Sequence, residues 1–167
     1  MLGFSTLCSP GLPLPDVAVL AHKYGTSCVE LRRTEDEPVH VGVSRAARVR
    51  EDLVGSEINS LASYYRLCAD SLDKLRVHVE LAHDLGVPAI RVFLGRSPET
   101  SVELAAERLT QAAEATQGAT LLVETHDLLL RGAEIAAVLR ESEVPDPEMS
   151  TVLEWGRVAC HAHMEGW

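Results

Sequence analysis

The sequence has no surplus of basic residues: 15 Lys and Arg stand against 25 Asp and Glu, for a formal net charge of -10. Affinity for nucleic acid comes largely from Lys and Arg displacing counterions from phosphates, so DNA and RNA are not expected partners. No apolar run approaches the roughly 20 residues that a membrane span requires. Met1-Leu2-Gly3-Phe4-Ser5 lacks the basic region and long apolar core of a secretory leader. A soluble cytoplasmic protein is the expectation. The four cysteines, Cys8, Cys28, Cys68 and Cys160, form no C-x-x-C pair and are expected to be buried, reduced thiols rather than a disulfide or zinc framework. Neither G-x-G-x-x-G nor G-x-x-x-x-G-K-[ST] occurs, which weighs against a nucleotide-phosphate cradle. Linkers and low-complexity tracts are missing too, and 167 residues with 46% apolar content can enclose the core of one domain.

What the chain does contain is a repeated alternation. Leu2–Leu7, Cys28–Arg32, Ile58–Tyr64, Ala89–Leu94 and a run from Thr120 read as strands. Between them lie segments with apolar residues at steps of three and four. Pro15-Asp16 opens the first helix, with Val17, Leu20, Ala21 and Tyr24 on one face, and Gly25 stops it. Ser44 caps a second helix reaching about Leu53. Asp70 begins a third, with Leu72, Leu75, Val79 and Ala82 on one face. Ser97-Pro98-Glu99 opens a fourth, bearing Val102, Ala106, Leu109 and Ala113, and Gly132–Glu141 is the fifth. His22, His78 and His83 fall on helices and are expected to face solvent.

The strands begin at residues 2, 28, 58, 89 and 120, at intervals of 26, 30, 31 and 31. Each interval is about one βα unit, and a succession of such units builds a parallel sheet. A doubly wound sheet and a (β/α)8 barrel both fit; the regular units and the missing phosphate fingerprint favour the barrel. The fold class is therefore α/β, a partial TIM barrel of about five βα units, with residues 1–147 as the barrel segment and 148–167 as an irregular tail.

The most informative stretch is Thr120-Leu121-Leu122-Val123-Glu124-Thr125-His126-Asp127. An uncharged strand buried on both faces ends abruptly in a carboxylate, a hydroxyl, an imidazole and a second carboxylate. Parallel α/β proteins keep their chemistry at this carboxyl edge. Glu124 could equally cap the following turn or pair with an arginine. Arg91 could either salt-bridge Glu124 across adjacent strands or contact a ligand.

Several short motifs, in order, resemble the xylose-isomerase-like TIM-barrel family of sugar isomerases, epimerases, inosose-dehydratase-like enzymes and endonuclease-IV-like proteins. They are Leu2-Gly3-Phe4-Ser5-Thr6 with Pro10-Gly11, Val29-Glu30-Leu31-Arg32, Ala82 to Phe93 with its Leu85-Gly86-Val87-Pro88, and Leu122-Val123-Glu124-Thr125-His126-Asp127. The resemblance covers residues 2 to about 145. It implies a divalent metal, Mn, Mg, Co or Zn, with Glu124 as catalytic carboxylate and first ligand. His126, Arg91 and Arg32 would bind substrate, with Glu30 near the same rim. The implied chemistry is a proton shift on a sugar or polyol through a metal-held enediolate.

The match stops short of the whole pattern. Complete barrels of this kind run to about 250 residues, and the family's later ligands, an Asp and a His after strand six and a carboxylate at strand eight, have no counterpart here. The chain is thus read as C-terminally truncated, which makes an inactive fragment or pseudoenzyme the alternative function. An endonuclease-like repair role is disfavoured by the acidic charge. From Met149 the periodic patterns fade, and Cys160-His161-Ala162-His163 matches no zinc spacing. If Val158–Trp167 are read one nucleotide later, the codons permit a string close to the family's Trp-Arg motif after strand six. The tail is accordingly expected to be frameshifted. Strands one and five would then be left as unpaired edges through which copies self-associate.

Overall fold

The computed structural model describes residues 3–26, 28–33, 46–95, 100–124 and 132–144. Five strands alternate with five helices: β1 (Gly3–Ser5), α1 (Leu14–Lys23), β2 (Cys28–Arg32), α2 (Ala46–Asp52), β3 (Glu57–Arg66), α3 (Leu72–Leu85), β4 (Ala89–Phe93), α4 (Val102–Ala115), β5 (Thr120–Glu124) and α5 (Gly132–Glu141). The strands are hydrogen-bonded in the order β1-β2-β3-β4-β5. A doubly wound sheet reverses its strand order at a switch point. Sequential order, with a helix in each crossover, is that of a partial (β/α)8 barrel.

Local chemistry explains the boundaries. β1 is shorter than the expected Leu2–Leu7 because the Ser5 hydroxyl accepts the Leu7 N–H at 3.3 Å, tightening Thr6–Cys8 into a 3-10 turn. Pro15 sits in the first turn of α1, where its missing N–H costs no hydrogen bond, and Gly25 adopts φ +65° just past the helix end. Leu14, Val17 and Ala21 are buried. Tyr24, expected on that face, is 65% exposed, because the helix stops at Lys23 and the C-cap leaves its spiral. The expected cap Ser44 of α2 and the expected opening of α4 at Ser97-Pro98-Glu99 lie outside the described residues. α4 itself begins at Val102, and Ser101 caps it by accepting the Leu104 N–H at 3.2 Å.

β1 and β2 pair in parallel, with Gly3 opposite Cys28, Phe4 opposite Val29 and Ser5 opposite Glu30. A side chain at position 3 would stand 2.9 Å from the Cys28 Sγ, so glycine allows this close pairing. β2 and β3 are also parallel, with a register shift between Val29 and Glu30 that sets Glu30 opposite Ser60 and Arg32 opposite Ala62. β3 runs past the expected Ile58–Tyr64 at both ends, from Glu57 to Arg66, and accommodates Asn59 at this irregularity.

The chain separates into two compact units, Met1–Tyr64 with Glu80–Ile90, and Tyr65–Val79 with Arg91–Trp167. Val17, Ala21, Val29, Leu31, Val49 and Leu61 are buried in the first; Leu75, Val92, Leu109, Leu122, Ile135 and Val138 are buried in the second. His22 and His83 are exposed as expected. His78 is instead buried, because it shares the α3 face of Leu75, Val79 and Ala82, three residues on from Leu75. Of the cysteines, Cys28 is buried and Cys68 partly so, but Cys8 is exposed; none of the three forms a disulfide. Burial first, then the nearby Glu57 carboxylate, pushes the Cys28 thiol above its usual range, which keeps it protonated and inert. Cys160 and the tail from 148 lie outside the described residues.

Among the described strands, β1 and β5 stand at the ends of the order, each hydrogen-bonded to a described strand on one side only. The purified chain is expected to self-associate through these edges. Light scattering at increasing concentration checks this, and a monodisperse monomer throughout contradicts it.

Candidate functional site

Because the strands are parallel, each delivers its last residues to the same edge of the sheet. In the second unit Glu124, the last residue of β5, meets Arg91 from the middle of the neighbouring β4. The Arg91 Nη1 forms an ion pair with the Glu124 Oε2. The Arg91 side chain is 4% exposed and that of Glu124 17%. Residues two apart on a strand share a face, and Phe93 accordingly lies beside Arg91, with the guanidinium carbon 4.9 Å from the ring centroid. Taking a guanidinium out of water is costly unless a charge partner and polarisable surface replace the solvent. Glu124 and Phe93 provide both. The salt bridge between adjacent strands, one of the two roles open to Arg91 from sequence, is therefore present.

The first unit holds a second polar group of residues. Glu30 is 5% exposed, and the strand register puts a serine on either side of it. The Ser5 hydroxyl donates to its Oε1 at 2.7 Å, and the Ser60 hydroxyl lies 3.5 Å from its Oε2. Arg32 shares the Glu30 face of β2. Its backbone N–H donates to the Thr6 Oγ1 at 2.8 Å and its Nε–H to the Tyr64 hydroxyl at 2.9 Å. The Arg32 guanidinium carbon also lies 5.4 Å from the Tyr64 ring centroid.

Ser5, Ser60 and Tyr64 were not singled out from sequence as site residues. Tyr64 follows Ser60 and Ala62 at strand parity, but its place on the face of Glu30 and Arg32 is set by the β2–β3 register, which the sequence does not give. His126 lies outside the described residues. Among those described, no group of three or more His, Cys, Asp or Glu could hold a metal ion, and the Glu124 carboxylate is engaged by Arg91. The described residues alone do not fit a divalent ion, and no chemical step is derived through one.

No protein-family model matches the chain, and no curated protein matches it in sequence. Solved structures do match in fold. A xylose isomerase domain containing protein from Salmonella typhimurium superposes with a TM-score of 0.68 at 20% identity, covering 86% of this chain and 57% of that one. The IOLI protein, solved with a bound zinc atom, gives 0.60 at 15% identity over 73% of this chain and 50% of its own. D-psicose 3-epimerase with D-tagatose, from Clostridium cellulolyticum, gives 0.61 at 10% identity over 84% and 59%. The chain thus has the fold of xylose-isomerase-like TIM barrels, as its motifs imply, and spans 50% to 59% of the length of these three neighbours. Among the described residues, no helix is long and apolar enough to cross a membrane.

Glu30 offers a direct test of the first unit's polar network. Replacing Glu30 by Ala removes the acceptor of both serine hydroxyls and is expected to cost about 1–3 kcal/mol in denaturant unfolding. Glu30→Gln, which keeps an acceptor oxygen, should cost less. Equal stability of all three proteins would contradict a structural role for the carboxylate.

Proposed function

We propose that this chain carries part of a sugar or polyol isomerase- or epimerase-like barrel, with the binding site at the carboxyl ends of its strands. The observation that supports this best is the Arg91–Glu124 pair, a carboxylate at the end of β5 held by a buried guanidinium of β4 in a fold similar to that of D-psicose 3-epimerase. In this reading the Glu124 carboxylate accepts hydrogen bonds from neighbouring hydroxyls of the ligand. Arg32 at the end of β2, steadied by Tyr64, is a candidate for a ligand contact in the first unit, and His126, two residues after Glu124 in the sequence, is a further candidate. The reaction class is a proton shift between adjacent carbons of a sugar or polyol. A divalent ion, Mn, Mg, Co or Zn, would need ligands beyond the described residues.

A second reading is a pseudoenzyme or inactive fragment that keeps the fold without the chemistry. It is favoured by the engagement of Glu124 with Arg91 and by the lack of a three-ligand group among the described residues. Endonuclease-like repair finds no support in a chain of net charge -10.

Ligand-observed NMR with D-tagatose and myo-inositol, run with and without MnCl2, tests the proposal. Binding of at least one ligand is expected, weakened roughly tenfold by Glu124→Gln, as loss of a charged hydrogen bond of about 1.4 kcal/mol or more would produce. Failure to bind either, with or without Mn, would overturn the sugar-site assignment. Binding without turnover, and without Mn, Co or Zn affinity at micromolar levels, would select the pseudoenzyme.

A further inference from the structure

We infer that Arg91 is a positioning residue, acting on the site through Glu124 and not by touching the ligand; this rests on Glu124 being the ligand-binding carboxylate proposed above. Three observations carry it. First, every residue of β4 is buried, and the Arg91 side chain is 4% exposed against 17% for Glu124, so an approaching molecule meets the carboxylate before the guanidinium. Second, Arg91 is held on two sides, by the Glu124 Oε2 and by the Phe93 ring. A planar guanidinium in that setting cannot swing outward without stranding its own charge and that of Glu124. Third, the ion pair links the adjacent strands β4 and β5, which ties one oxygen of the Glu124 carboxylate to β4 and balances its charge. Hydrogen-bonding partners of a binding carboxylate set its orientation around metal centres, where losing them weakens binding by about 10- to 100-fold.

The sequence alone left two roles open for Arg91, salt bridge or ligand contact. A positioning role predicts a particular pattern of coupling that direct contact does not. The test measures D-tagatose affinity of the full chain as wild type, Arg91→Met, Arg91→Lys, Glu124→Gln and the Arg91→Met/Glu124→Gln double variant. Arg91→Met and Glu124→Gln should each weaken binding by about tenfold, the double variant no more than either alone, and Arg91→Lys should recover part of the loss. Additive losses in the double variant, or an unchanged affinity in Arg91→Met, would overturn the inference. A side chain that merely stabilises the fold would not give this non-additivity in affinity.

NMR provides a second arm that needs neither a ligand nor the Met variant to fold. In the wild type the Arg91 Nε–H signal should exchange slowly with water and shift in Glu124→Gln, and Arg91→Lys should move the Glu124 side-chain carboxyl carbon. A rapidly exchanging Arg91 signal indifferent to Glu124→Gln would overturn the inference. If the wild type binds no sugar, the functional proposal fails, and this arm alone decides whether Arg91 holds Glu124.

Discussion

Parallel pairing in sequential order is the constraint from which the other features follow. It sends every strand's last residues to one edge, and it buries the strands deeply enough that a polar side chain on them must find its partner on a neighbouring strand. β4 is buried along its whole length, yet it carries an arginine. That placement is tolerable because Glu124 arrives on the adjacent strand and Phe93 lies two residues further along β4. Glu30 obeys the same rule in the first unit, with Ser5 and Ser60 brought to either side of it by the register of β1 and β3. Polar groups on these strands are therefore organised by cross-strand neighbours and not by local sequence.

That distinction separates what was legible in the sequence from what was not. The strand-and-helix rhythm was plain because hydrophobic periodicity is a local property. Glu124 could be singled out because a carboxylate ending an apolar strand breaks a local pattern, and one reading of Arg91 anticipated their pairing. Ser5, Ser60 and Tyr64 were not picked out for a site, since nothing local distinguishes a serine facing a buried carboxylate from any other strand serine. The errors have local causes as well. Tyr24 was assigned to a helix face that had already ended. His78 was sent to solvent on account of its polarity, although it falls three residues from Leu75 on the buried side of α3. Cys8, expected with the other cysteines to be a buried thiol for want of any C-x-x-C pair, closes an exposed turn instead.

The functional account depends on how a buried guanidinium and a carboxylate share their charge. An isolated Glu124 at a strand end would be an ordinary anionic ligand for a cation or a hydroxyl. With Arg91 on its Oε2 its charge is balanced, and a divalent ion would have to compete with Arg91 for it. The fold is one that solved sugar-processing proteins share, while the described residues by themselves assemble no metal centre. Both the isomerase-like proposal and the pseudoenzyme reading turn on this pair.

A crystal structure of the chain tests the central claim most directly. The account predicts β4 and β5 as parallel neighbours, with the Arg91 guanidinium within hydrogen-bonding distance of the Glu124 carboxylate and stacked on Phe93. Antiparallel neighbours, or a Glu124 side chain directed away from Arg91, would contradict it.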